Sequence, residues 1–280
     1  MPTPPSDLHA EAAGLFGPGS AAWLVDRELI VLAGGSCALL LQAAHPVVAA
    51  GVAEHSTYAT DPFGRLLRTL TSSFEVVFGT RTEAESTIRR LNAIHSAVRG
   101  RLPENGAAYS ALDPEALLWV HATLVDTALR VYGRFVGPLR PDQEQAYHDE
   151  AGRVAVALGV PIGNLPSTVG GLREWMDGMI EDGRVRVTPA ARDIARTVLY
   201  PWPWVPRVAW DAAHLVSLAT LRPSIRRQYG IGWSLGRERG IVRLAAVSRR
   251  ALPVLPSALR HVPQARAAER RLAQVAGTTR

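Results

Sequence analysis

The chain contains no lysine, only one cysteine and none of the compact signatures of the commonest catalytic folds. Each absence narrows the field. A lone Cys37 rules out an intrachain disulfide framework and any thiolate cluster from one chain, a usage that fits a reducing cytoplasm, the compartment expected here. All 31 basic residues are arginine, and alanine and glycine abound, so much of the pI of about 10.2 reflects a GC-rich coding sequence. The net charge of +6 is dispersed among acids until the last third, where Arg222, Arg226, Arg227, Arg237, Arg239, Arg243, Arg249 and Arg250 accumulate. That pattern reads as solvated helix faces, and no nucleic-acid partner is expected. Gly-x-Gly-x-x-Gly after a strand, a Walker loop, His-Glu-x-x-His and Gly-x-Ser-x-Gly are all missing. Dinucleotide binding, phosphate transfer and zincin-type hydrolysis therefore lack their local geometry. No positive segment precedes an apolar run at the N-terminus, so no signal peptide is expected.

What is present is helix. At 280 residues and 47% hydrophobic, the chain can bury the core of one large domain. Start signals recur: Asp61-Pro62 and Asp113-Pro114 place an N-cap before a proline whose missing N–H costs nothing there, Thr188-Pro189 repeats the device, and Thr82 with Glu85 has capping-box spacing. These predict helices over 61–78, 82–98, 113–135, 141–158, 168–182, 189–199, 205–221, 223–229 and 234–250, after a first helix from about 21 to 44. Residues 1–18 read as a flexible Pro/Gly-rich N-terminal tail and 256–280 as an Arg-rich C-terminal tail. No alternating run is long enough for a sheet, so the expected class is all-α: a single multi-helix bundle, with globin-like packing around a central pocket. Leu29 to Ala53 carries no Asp, Glu, Lys or Arg over 25 residues, long enough for a bilayer. Pro46 breaks it, so two shorter buried helices are expected rather than an integral span, leaving only peripheral membrane contact open.

The polar residues inside this apolar frame are the candidates for chemistry. Gln42 to Ser56 places His45, Glu54 and His55 in one of the least polar parts of the chain, where an imidazole or carboxylate is costly to desolvate without a partner or a function. Arg65, Thr69 and Ser72 flank the apolar face of the 61–78 helix. His95 lies in the middle of an Ile88, Leu91, Ile94 and Val98 face, and His121 shares a stripe with Leu117, Leu124, Ala128 and Tyr132. A neutral imidazole between helices of an α-bundle is what an axial haem ligand requires, and arginines beside it suit propionates. From pattern alone His45, His95 and His121 are all candidates, and all three can equally be hydrogen-bonded core residues.

The run Leu39-Leu40-Leu41-Gln42-Ala43-Ala44-His45-Pro46, then His55-Ser56, Asp61-Pro62, Arg65-Leu66-x-x-Thr69, Val77-Phe78-Gly79, His95-Ser96-x-Val98-x-Gly100, Tyr109-x-Ala111-x-Asp113-Pro114 and Leu118-Trp119-Val120-His121-Ala122-Thr123-Leu124 resembles the domain family of the mycophenolic-acid pathway oxygenase and the rubber oxygenases. The resemblance spans about residues 20–250 and implies a helical oxygenase-like domain over 19–255. It implies haem b, and so iron, as cofactor, with O₂ and a small apolar, terpenoid- or lipid-like substrate as partners. By the same likeness His95 is the proximal iron ligand, Arg65 and Thr69 are distal catalytic residues, and Glu54, or less closely Glu75, stands for the distal glutamate. Arg68 occupies the position of a lysine that closes onto the iron in rubber oxygenases. An arginine stays protonated and ligates metals very poorly, so lysine-type ligation is absent and polyisoprene is not implied. Arg68, His45 and His121 remain cofactor-contact candidates. The expected function is a haem-dependent oxygenase, with a non-catalytic haem or lipophile binder as the alternative and a cofactor-free bundle behind both.

Overall fold

The computed structural model describes residues 5–56, 61–202 and 204–278. The chain runs α1 (Pro5–Ala13), α2 (Ala21–Asp26), a 3₁₀ turn (Leu29–Gly34), α3 (Gly35–Ala43), α4 (Pro46–His55), α5 (Pro62–Phe78) and α6 (Arg81–Ala97). A hairpin of β1 (Arg99–Arg101) and β2 (Ala108–Ser110) leads to α7 (Pro114–Phe135), α8 (Pro141–Ala157), α9 (Val169–Glu181) and α10 (Pro189–Leu199). Then come α11 (Arg207–Ala213), α12 (Leu215–Thr220), α13 (Pro223–Gln228), α14 (Leu235–Ala251), α15 (Ser257–Arg260) and α16 (Pro263–Thr278). Apart from the three-residue strands, the architecture is all-α, as the sequence predicts.

The start signals work as their chemistry requires. Asp61 accepts from the Gly64 N–H, Asp113 from Ala116 and Thr188 from Ala191, each before a proline in the first turn. One start differs: the capping box is Thr80 with Glu83, two residues earlier than Thr82 with Glu85, because the Thr82 N–H is taken by the Glu11 carboxylate of α1 at 3.0 Å. The charge-free stretch is broken as expected. Its two arms, Leu29–Ala43 and Pro46–His55, meet at 103°, and among the described residues no single helix is long and apolar enough to cross a membrane. The expected helix from 21 to 44 is itself divided into α2, the 3₁₀ turn and α3, and the 205–221 helix is interrupted at His214.

α7 is the central rod. The 3₁₀ turn, α3, α8, α9 and α14 pack around it, and Trp119 at its buried core donates to the Leu41 carbonyl at 2.7 Å. The turn approaches so closely that a Cβ on Gly34 would lie 2.7 Å from the Thr127 methyl and 2.9 Å from Val131 Cγ2. An ion network fastens α7 to its neighbours: buried Asp126 accepts from Arg130 (2.7 Å), Arg222 (2.8 Å) and Arg173 (3.2 Å), and Arg222 also reaches Asp177 at 2.6 Å. Burial alone would raise the Asp126 pKa, but Arg222 and Arg130 outweigh it and hold the carboxyl below its usual range.

Both segments expected as tails are folded over their described residues. α1 packs on α16, with Ala12, Val262, Ala265, Ala268 and Leu272 in one buried cluster. Arg271 of α16 donates to the Ala12 and Phe78 carbonyls, and buried Glu28 accepts three hydrogen bonds from Arg260. A Pro/Gly-rich N-terminus and an Arg-rich C-terminus read as tails, but these apolar contacts and paired charges supply the ordering free energy.

Candidate functional site

α5 and α6 form an antiparallel helical hairpin whose register is fixed by polar bonds across it. Thr87 and Arg90 of α6 donate to Glu75 of α5 at 2.5 and 2.8 Å, and Arg90 also reaches Ser72 at 3.3 Å. With 75 opposite 87 and 72 opposite 90, position 69 comes level with 93 and position 65 with 97. The first half of α5 and the last half of α6 thus share one end of the hairpin, the end that carries Arg65, Thr69 and His95. Glu75, by contrast, is committed to the hairpin itself.

At this end the groups differ in what they are free to do. His95 is half-buried; its Nδ1 is buried and has no hydrogen-bond partner, and burial lowers its pKa, so the imidazole is neutral. One helical turn earlier Asn92 donates to the Ala157 carbonyl at 2.9 Å while its Oδ1 is buried without a partner. Two orphaned buried polar atoms at i and i+3 share one face of α6, a costly arrangement unless a ligand group meets it. Arg65 is half-buried, and its guanidinium makes no hydrogen bond or ion pair among the described residues. Burial and the neighbouring charge of Arg68 both lower its pKa, the signature of a cation without a counter-charge. Thr69 is exposed and donates to the Arg65 carbonyl at 3.0 Å, and exposed Arg68 holds the cap residue Asp61 at 3.1 Å. Leu67 and Ile94 are exposed at the same end.

Glu54 sits at the end of α4, against the hairpin that follows α6. Its carboxylate accepts a short hydrogen bond from the Tyr109 hydroxyl and lies 3.8 Å from His55 Nε2, which bonds the Arg99 carbonyl at 3.0 Å. Gly100 permits this: any Cβ there would collide with the Glu54 carboxylate and lie 2.7 Å from the Tyr109 oxygen. Burial, then the Glu54 carboxylate, push the Tyr109 pKa up to about 12, so the phenol keeps its proton. A Cβ on Gly51 would lie 3.4 Å from Val98, three residues beyond His95, which links this pair to the end of α6.

The other two histidines lie elsewhere in the bundle. His45 is the buried N-cap of α4, 3.9 Å from the Glu115 carboxylate and tilted against Trp119. Burial lowers its pKa despite Glu115 and Asp113. His121 of α7 faces His148 of α8; burial first and the His148 charge second bring its pKa down to about 4. His148 is itself buried with Nε2 2.7 Å from the Pro166 carbonyl. Tyr109, Asn92 and His148 were not singled out by sequence as site residues. Tyr109 belongs to the Tyr109-x-Ala111-x-Asp113-Pro114 run, whereas the partners of Asn92 and His148 are distant in sequence and give no local signal.

A surface cavity of about 340 Å³ lies between α2 and α8, lined among others by Leu24, Arg27, Arg140 and Glu150, and none of the candidate site residues lines it. Among the described residues no three His, Cys, Asp or Glu side chains could jointly hold a metal ion. A porphyrin brings four of the iron's donors itself, so one neutral imidazole with a free ring nitrogen is the donor set it needs; His95 fits it, and so by the same criterion do His45, with Nδ1 unpartnered, and His121, with Nε2 unpartnered.

Residues 22–250 match the family described as ER-bound oxygenase mpaB/B′/rubber oxygenase, catalytic domain. The chain is 27% identical over 226 residues to an uncharacterized protein, Mb2261, of Mycobacterium bovis and, to the same extent, to an uncharacterized protein, Rv2237, of Mycobacterium tuberculosis. In each case the match covers 78% of this chain and 87% of the relative. No solved structure matches.

Proposed function

The chain belongs to the mpaB/B′ and rubber oxygenase catalytic-domain family, and on that footing we propose that it is a haem b-dependent oxygenase acting on a small apolar substrate. The observation that carries the reading is the end of α6, where His95 offers a neutral imidazole with a buried, unpartnered nitrogen close in sequence to a second unsatisfied atom on Asn92. His95 would hold the haem through its imidazole. When bound, haem supplies the activation of O₂ that carbon–carbon double-bond oxidation needs.

The chain's own residues supply binding and electrostatics. Arg65 presents guanidinium donors with no internal acceptor, so they are available to negative charge developing on an oxygen. Thr69 joins it only by releasing the Arg65 carbonyl. Tyr109 keeps its proton and donates it in a hydrogen bond to Glu54, which fixes the carboxylate in place beside the end of α6. Exposed Leu67 and Ile94 suit an apolar ligand.

One observation favours the binder alternative: Thr69 and Arg68 are both engaged within α5, which leaves Arg65 as the free donor there. Protein from cells supplied with haem precursor separates the cases. A Soret band with substrate-dependent O₂ uptake supports the oxygenase, a Soret band without uptake across terpenoid candidates supports the binder, and no Soret band contradicts both haem readings.

A further inference from the structure

α14 carries two kinds of arginine. Those turned toward the protein are engaged: Arg237 bonds Asp211 at 2.6 Å, and Arg249 bonds the Arg134 and Gly133 carbonyls at 2.9 and 3.1 Å. The core side of the helix is marked by buried Ile241 and Ala245. On the opposite side Arg239, Arg243 and Arg250, spaced four and seven apart, fall on one exposed stripe. Arg239 and Arg243 have no partner among the described residues, and Arg250 reaches only the Ala246 carbonyl of its own helix at 3.3 Å. The one acid of α14, Glu238, is taken by Arg134 and Trp233.

Apolar side chains flank this stripe and continue past it. Val242 is 55% and Val247 62% exposed, and the segment after the helix presents Val254 at 80% and Leu259 at 64%. We propose that this face docks on an anionic lipid bilayer, with the guanidinium groups on headgroup phosphates and Val254 and Leu259 at the acyl boundary. Charge and shape select this occupant. A two-fold contact between copies would set the cationic stripe against itself. Nucleic acid would use the arginines but leave the apolar side chains uncovered. Val254 ends the 3₁₀ turn after α14 and Leu259 lies in the four-residue α15; a protein partner on these side chains would leave the chain bound to neither vesicle type.

The test is sedimentation of the full chain with vesicles of phosphatidylcholine alone or with roughly one-third phosphatidylglycerol. Binding to the anionic vesicles and not the neutral ones is expected. One arginine near an anionic surface raises partitioning roughly fivefold, so Arg239→Glu with Arg243→Glu should lower it by about 25-fold or more. Val254→Ser with Leu259→Ser should lower it several-fold even at high salt, and this second variant decides the matter if the charge reversal disturbs folding. Equal binding to both vesicle types, no binding to either, retention by both variants, or a wild-type dimer that the charge reversal dissociates would overturn the proposal.

Discussion

Asp126→Asn tests what holds the central helix in place. In the wild type the carboxylate is almost wholly buried and neutralises Arg222, itself buried, while also bonding Arg130 and Arg173. The amide can accept but carries no charge, so Arg222 would keep only Asp177, which is half-exposed and well solvated. Breaking a buried pair from one side costs about 3–5 kcal/mol, because the remaining charge is left without compensation. With an unfolding entropy of about 2.1 cal/mol/K per residue, a chain of this length should lose roughly 5–8 °C in melting temperature at neutral pH. The acid limb gives a second reading. The folded-state pKa is depressed, so the contribution is complete above the unfolded carboxyl value of about 3.9 and fades as pH falls below it. The variant should therefore converge on the wild type in acid. Melts followed by circular dichroism from neutral pH down to about 2 check both, and a shift under about 2 °C at neutral pH, or a gap that widens in acid, would refute the reasoning.

Arg65→Ala should leave haem content and melting temperature unchanged and cut turnover per haem by an amount equivalent to about 2–4 kcal/mol; loss of stability in step with activity would make Arg65 structural. Asp26, bonded by Tyr147 at 2.9 Å, has its pKa raised to about 7 by burial, so its stabilising protonated form is lost as pH rises from the unfolded carboxyl value through 7. The stability of Asp26→Asn relative to wild type should accordingly rise over that window, and a constant difference in paired melts would count against it. Gly34→Ala should destabilise by about 1–3 kcal/mol through overlap with Thr127 and Val131, and Thr127→Ser in the same chain should restore part of it in denaturant titrations.

Local chemistry was legible in the sequence, and distant chemistry was not. Asp61, Asp113 and Thr188 cap where expected because cap, proline and N–H lie within four residues. The capping box shifted to Thr80 because Glu11, far away in the chain, claims the Thr82 N–H. The ends read as tails since proline and glycine at one end and arginine at the other are visible locally, whereas the fit of α1 on α16 is not. The helix over 205–221 breaks at His214, which stacks on Trp210 and lies 3.0 Å from the Ser36 hydroxyl, a contact across the fold. At the site, a histidine on an apolar stripe marked His95, and the spacing of Arg65 and Thr69 put them on one helix. That Asn92 adds a second orphaned atom, that Tyr109 secures Glu54 and that Arg68 is drawn to Asp61 depended on side-chain geometry.

The central claim is that His95 holds the iron, and the direct measurement is the absorption spectrum of His95→Ala beside wild type, both purified from cells supplied with haem precursor. The wild type should carry a Soret band that the variant loses or retains only weakly, while both melt alike without haem and His45→Ala and His121→Ala keep the band. An unchanged Soret spectrum in His95→Ala would contradict the assignment, and loss of the band in His45→Ala or His121→Ala instead would move the ligand there.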